Sequence, residues 1–191
     1  IVITFCPLCG SGVAFESRAG GRALRFGVSG LLYNSDVLLY DRETQSLWSQ
    51  IRAQAVAGPL KGGRLAAVPV LHTTWADWRA RHRDSLVLSQ KTGYSRDYNG
   101  DPYAGYEKSA ELMFPVRFRA EGYHPKERVL GIVLDGEAKA YPFVELAKGA
   151  DEIADTVAGR AVRIRYSREH QSAEAFDAKG RPLVATPLFW F

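Results

Sequence analysis

The chain has two cysteines, with two residues between them, in Phe5-Cys6-Pro7-Leu8-Cys9-Gly10-Ser11-Gly12, directly after the strand-like start Ile1-Val2-Ile3-Thr4. Thiols at this spacing can close a small redox disulfide or supply half of a tetrahedral metal site. As soft donors they point to a copper or zinc ion. Dithiol–disulfide exchange is the alternative chemistry. A third reading is structural, with a disulfide or two buried thiols bracing a turn. Gly10 and Gly12 leave the backbone free to turn its N–H groups toward a thiolate and lower its pKa. Zinc needs ligands beyond Cys6 and Cys9. No second cysteine pair supplies them, and His72, His82, His124 and His170 have no diagnostic spacing. His82, between Arg81 and Arg83, reads as a solvated surface residue.

Two further groups of residues could bind a ligand. The first is Asp36, Asp41, Arg42 and Glu43 with Trp48, on a pair of strands. Close carboxylates do acid–base work or hold a cation, and they equally serve as turn caps and Asp–Arg pairs. This spacing predicts that they gather near Trp48, with at least one aspartate on Arg42. The second group is Tyr94, Arg96, Asp97, Tyr98 and Tyr103, in a Gly/Asp/Asn/Tyr-rich stretch from Lys91 to Tyr106. Interleaved rings and charges of this kind can form a polar platform, as for sugars, or pin a long loop to the core. Ser29 and Ser35 lack the nucleophile-elbow pattern and a partnered histidine, and Gly58–Gly63 lacks Walker spacing.

The elements that must position these residues are short. At 191 residues, 46% hydrophobic and 24% charged, the chain has the balance of an ordinary globular protein. Its net charge is +4 and its pI about 9.1, but the basic residues are scattered rather than striped, which argues against nucleic acid as a partner. No apolar run reaches the roughly 18 residues of a membrane span. The partners this leaves are a small molecule or a metal ion. Oligomeric state is not readable from the sequence.

Val129–Leu134 and Glu137–Tyr141 flank Asp135-Gly136, which predicts a tight hairpin. Val13–Glu16 and Ala23–Phe26 flank Gly20-Gly21 and predict another. Val37–Tyr40 and Ser46–Ile51 read as strands, and Gly58-Pro59 and Gly62-Gly63 as turns. Helices are predicted after a Thr cap over Thr73–Arg81 and over Pro142–Ala147. The fold class is therefore α+β and mostly β, built of short antiparallel strands and hairpins with few short helices. We read it as one domain over residues 1–191. An internal echo lays about 2–24 on 163–183, so that Cys6 falls on Ser167 and Cys9 on His170, which leaves room for two related lobes.

The blocks CPLCGSGVAFESR, LRFGVSGLLYNSDVLLYDRETQSLWSQ, TGYSRDYNGDPYAGY and KERVLGI, in this order and spacing, closely resemble a prokaryotic family known as domain of unknown function 3179. The resemblance covers nearly the whole chain. It implies that the chain is an internal portion of a longer protein. The implied preceding segment resembles KAYPFVELAKGADEIADTVAGRAV and carries a His-Glu pair that could complete a metal site. It also implies export, and so a periplasmic or secreted setting. It implies no activity and does not say whether the protein is an enzyme. The leading expectation is an exported metal-binding or thiol-redox protein acting through Cys6 and Cys9. The alternative is a noncatalytic ligand-binding or structural module using the Asp/Tyr/Trp surface.

Overall fold

In a computed structural model describing residues 1–191, strands Val2–Cys6 (β1) and Ser11–Phe15 (β2) run antiparallel, joined by the four residues Pro7–Gly10. Cys6 stands opposite Ser11 and Val2 opposite Phe15. After β2 the chain forms a minor ladder, Arg18–Ala19 (β3) on Arg22–Ala23 (β4), around Gly20-Gly21. The hairpin expected here is thus confined to its tip. Val13–Phe15 pair with β1 instead, and the chain after Ala23 leaves to begin a separate meander.

That meander is Phe26–Tyr33 (β5), Asp36–Asp41 (β6), Leu47–Ser49 (β7) and Gln54–Ala57 (β8), each paired with the next. The β5–β6 turn is Asn34-Ser35, with φ of 51° and 59°. Two successive positive φ values make the tight hairpin turn that fits strand twist, and Asn tolerates them well. Ala67–Val68 (β9) closes the other edge of β2. The helix Trp75–Arg81 (α1) starts as expected on a Thr cap, with the Asp77 N–H donating to Thr74 Oγ1.

Residues 82–127 are irregular apart from a 3-10 turn at Tyr106–Lys108. Regular structure resumes with the expected hairpin, Arg128–Leu134 (β10) on Glu137–Pro142 (β11), with Asp135 and Gly136 both at positive φ. Pro142 caps the short helix Phe143–Leu146 (α2). Then follow Glu152–Val157 (β12), Arg160–Ser167 (β13), Ser172–Asp177 (β14) and Ala185–Phe189 (β15). The sheets are β12-β13-β14 and β11-β10-β15 in the second half, and β1-β2-β9 and β5-β6-β7-β8 in the first. The protein is mostly β, with two short helices. No helix is long and apolar enough to cross a membrane.

Apolar burial falls into three clusters. One surrounds Trp48, Phe15 and Leu39 in the first half. A larger one surrounds Leu130, Ile132, Val157 and Ile164 in the second. The third consists of Cys6, Leu8, Cys9, Tyr106 and Phe189. Phe189, from the last strand, lies under the Cys turn, and its N–H donates to the Cys9 carbonyl at 2.8 Å. Burying a large apolar side chain is worth about 1.5–3 kcal/mol. The Cys turn is therefore held by both ends of the chain.

Candidate functional site

Cys6 ends β1 and Cys9 lies two residues before β2, so the hairpin turn brings both thiols to one side. Both are reduced and almost completely buried, at 2% and 1% exposure. The Asn34-Ser35 turn delivers a third group, Asp36, at the first position of β6. The Cys6 and Cys9 sulfurs and an Asp36 oxygen all lie within 4.8 Å of one another. Cys9 Sγ is 3.5 Å from Asp36 Oδ1, and Cys6 Sγ is 3.8 Å from the Ser35 carbonyl oxygen. No histidine joins this group.

A buried polar shell supports it. The side-chain amide of Gln50 donates to Thr4 Oγ1 at 3.0 Å, which leaves Gln50 Oε1 to accept from the Ser11 hydroxyl at 2.8 Å. The Ser11 oxygen also meets Cys9 Sγ at 3.0 Å. The N–H of Ile51 donates to Asp36 Oδ2 at 3.1 Å. Tyr106 Oη donates to the Leu8 carbonyl, inside the Cys turn, at 3.1 Å.

The electrostatics follow from burial and from the shared thiol proton. The hydrogen bond from Cys9 brings the Cys6 thiol down to about 6 against the opposing effect of burial. N–H groups of Cys9, Leu8 and Val37 assist; these, rather than the amides of Gly10 and Gly12, face the sulfur. The same Cys9–Cys6 bond, and then burial, push the Cys9 thiol far above its ordinary value. Burial also raises the Asp36 carboxyl to about 6. No Lys, Arg or His forms an ion pair with Asp36. Two thiols and a carboxyl thus share a dry site without a protein cation. Such a site holds protons, or one cation, in place of the charge it lacks.

Gly10 and Gly12 have packing roles. A Cβ on Gly10, at φ 63°, would lie 2.7 Å from the Phe189 ring, and one on Gly12 would lie 2.0 Å from His72 Nε2. His72 is pressed against β2, and burial holds its pKa below the usual range. His82 caps the end of α1 and stacks on Trp78 at 4.1 Å. His124 Nδ1 accepts from the Lys126 N–H at 3.2 Å. His170 Nε2 lies 3.5 Å from Asp77 Oδ1.

The acidic group expected around Trp48 is split three ways. Asp36 joins the thiols. Asp41 is fully buried and accepts from Trp48 Nε1 at 2.8 Å and from Thr44, which makes it a turn brace. Glu43 pairs with Arg25 at 2.8 Å. Arg42 projects to the surface with no carboxylate partner and lies over the Tyr40 ring. The expected Asp–Arg42 pair does not form, because β-strand alternation sends Asp41 inward and leaves Arg42 in the turn outside.

The tyrosine stretch also divides. Tyr94, Arg96, Asp97 and Tyr98 are exposed, and their hydrogen bonds are local: Tyr98 Oη with Thr92 Oγ1, and the Asn99 N–H to Asp97 Oδ1. Tyr103 lies on a separate shallow cleft beside Phe5 and Pro7. These residues form no common platform. Tyr106, at the end of the stretch, hydrogen-bonds into the Cys turn. Sequence reasoning missed Ser11, Gln50 and Tyr106 as members of the site. The available signal was position alone: Ser11 directly follows the Cys turn, and Gln50 and Tyr106 stand within the Trp48 and Tyr blocks already singled out.

Residues 1–186 match the family described as Protein of unknown function (DUF3179). No curated protein and no solved structure matches the chain.

Proposed function

The chain belongs to the DUF3179 family, and from that premise we propose that it is an exported metal-binding protein whose ligands are Cys6, Cys9 and Asp36. The observation that carries this is the arrival of a buried, cation-free carboxylate from a distant strand beside two buried thiols. A tetrahedral zinc site with bonds of about 2.0–2.3 Å separates its donors by roughly 3.3–3.8 Å. The 3.5 Å between Cys9 Sγ and Asp36 Oδ1 falls in that range. Two thiolates and a carboxylate carry three negative charges, and a divalent ion offsets most of them. The oxygen donor favours zinc over copper(I), which prefers sulfur alone. The fourth position falls to the Ser35 carbonyl or to a water. The depressed Cys6 pKa supports binding near neutral pH, where less proton competition remains. The setting is extracytoplasmic, as the family resemblance implies.

The test is metal analysis of protein purified under reducing conditions, with free thiols counted. About one zinc per chain is expected, with loss of the ion in Cys6→Ser/Cys9→Ser and in Asp36→Asn. Cobalt substitution should give a thiolate-to-metal charge-transfer band. Purified protein that carries no metal and takes up neither zinc nor cobalt sinks the reading. A second reading has its own support, since the low Cys6 pKa beside a carboxyl able to take the Cys9 proton suits dithiol oxidation. Reversible loss of both free thiols, without metal, would select it.

A further inference from the structure

Resting on the reading of Cys6, Cys9 and Asp36 as the working site, we propose that residues 106–117 form a strap that gates it, with Lys126 as the latch. The thiols are closed to solvent, so an ion or reagent reaches them only if something moves. The strap is the element built to move. It crosses the two turns that carry the ligands. Tyr106 Oη donates to the Leu8 carbonyl in the Cys turn. Ser35 Oγ donates to the Phe114 carbonyl at 2.7 Å, and the Arg117 N–H to Asn34 Oδ1 at 2.9 Å.

Beyond its single 3-10 turn, the strap has no ladder partner. Most of its apolar side chains face out; Met113 and Phe114 are exposed, and only Tyr106 is buried. It is tied down by side-chain bonds, the Arg128–Glu107 pair among them, and by the Tyr106 ring, with no backbone ladder to break, which places it among the segments that open locally.

Lys126 holds it down from outside the strap. Its side chain is buried and forms no ion pair with a carboxylate. Its ammonium donates to the carbonyls of Ser109 and Glu111 and sits 4.1 Å from the Tyr106 ring centroid. All three of these partners belong to the strap. A buried ammonium is costly unless fully bonded. These contacts satisfy it and exist only while the strap is down, so Lys126 holds the closed state.

Labelling of the two thiols by an aromatic disulfide reagent, followed by stopped flow on metal-free reduced protein, tests this. Labelling through local opening proceeds at a rate set by the open fraction. Wild type should label slowly, Lys126→Met about tenfold faster, and Tyr106→Phe, which removes one hydrogen bond, about threefold faster. Ile132→Val, in the distant core, should lower global stability and leave labelling unchanged. The proposal is overturned if Tyr106→Phe labels at the wild-type rate, or if Ile132→Val accelerates labelling as much as the strap variants do. Tyr106→Phe keeps the test decisive should Lys126→Met not fold. Labelling needs no metal, so failure of the metal reading shows separately, in the metal analysis.

Discussion

The β1–β2 and β13–β14 hairpins can be laid on one another residue for residue. Val2 faces Phe15 and Cys6 faces Ser11, as Arg163 faces Phe176 and Ser167 faces Ser172. Each turn has four residues, and the fourth has positive φ: Gly10 at 63° in one, Gln171 at 48° in the other. The third residue, Cys9 or His170, stands 3.5 Å from an aspartate oxygen in both. The two aspartates differ in their remaining partners. Asp77 also accepts from Thr73 Oγ1 at 2.6 Å and from Arg81 Nε at 2.8 Å, so its charge is met by the protein. Asp36 has the Ile51 N–H and Cys9, and no cation. One scaffold thus carries a self-sufficient polar turn and a turn that lacks a positive charge.

The outer faces differ as well. Ile164 and Tyr166 are buried, with Tyr166 packed edge-on against Phe143 of α2, and β12 covers the outer edge of β13. Ile3 and Phe5, at the corresponding places, are 74% and 64% exposed, and β1 is an edge strand. The Cys hairpin is braced from inside, through Phe189 and the thiol cluster, where its counterpart is braced from outside.

The largest test of that contrast exchanges the fourth turn residues. Gly10→Gln puts a Cβ against the Phe189 ring and asks a non-glycine residue to hold positive φ. We expect a loss of about 2–4 kcal/mol in denaturant unfolding. Gln171→Gly forfeits the bonds of Gln171 to Tyr166 Oη and to the Arg168 carbonyl but relieves the backbone, for a net change within about 1 kcal/mol. Equal costs at the two positions would show that the inner bracing is not what distinguishes the hairpins.

The second test is the pH dependence of stability in metal-free protein. Burial raises Asp36 to about 6, so from about pH 4 to pH 6 the folded state keeps a proton that the unfolded state has released. Stability falls across that window as pH rises. Cys6 is brought down to about 6 by Cys9, so from about pH 6 to pH 8.5 the folded state has released a proton that the unfolded state keeps. Stability rises across that window. The two limbs meet in a minimum near pH 6, each on the order of 2 kcal/mol, with a ceiling of about 1.4 kcal/mol per pH unit. Relative to wild type, Asp36→Asn should remove the falling limb and Cys6→Ser the rising one. Saturating zinc should fill the minimum, because a bound ion stabilises only the folded state. Difference curves that are flat through pH 4–8.5 would show that these groups do not titrate as a buried set.

Local chemistry made part of this legible from residues alone. Asp135-Gly136 announces its hairpin because the turn needs positive φ and the residues that tolerate it are adjacent in sequence. Thr74 announces α1 because capping acts over three residues. Cys6 and Cys9 announce a close pair of thiols because their spacing is itself the geometry. What escaped is non-local. Val13–Phe15 has apolar runs on both sides, and Gly20-Gly21 favoured the wrong partner, since nothing within the segment says that β1 across the Cys turn outcompetes it. Asp36 was singled out beside Asp41 and Glu43, yet its neighbours in space are thiols 27 and 30 residues away. Only the β5–β6 turn, pinned at Asn34-Ser35, decides which way it faces. Gln50 and Tyr106 are polar residues whose roles exist only once the two turns meet.

The smallest expected effect comes from the self-sufficient turn, and it is the control for the other. His170→Gln removes the imidazole facing Asp77 and keeps a polar side chain of similar reach. Asp77 retains the Thr73 hydroxyl and the Arg81 guanidinium, and the Thr73 bond is foremost in keeping its pKa below the ordinary range. The His170 N–H still donates to Ser167 Oγ, because that bond uses the backbone. Partly exposed pairs of this kind contribute little. The unfolding midpoint should therefore move by no more than about 2 °C. Metal content and the thiol labelling rate should not change at all. Asp36→Asn, the matching change in the other hairpin, should alter both the pH profile and the metal content. If His170→Gln lowers metal content or speeds thiol labelling, the two turns are coupled, and the contrast between them is a division of labour within one site.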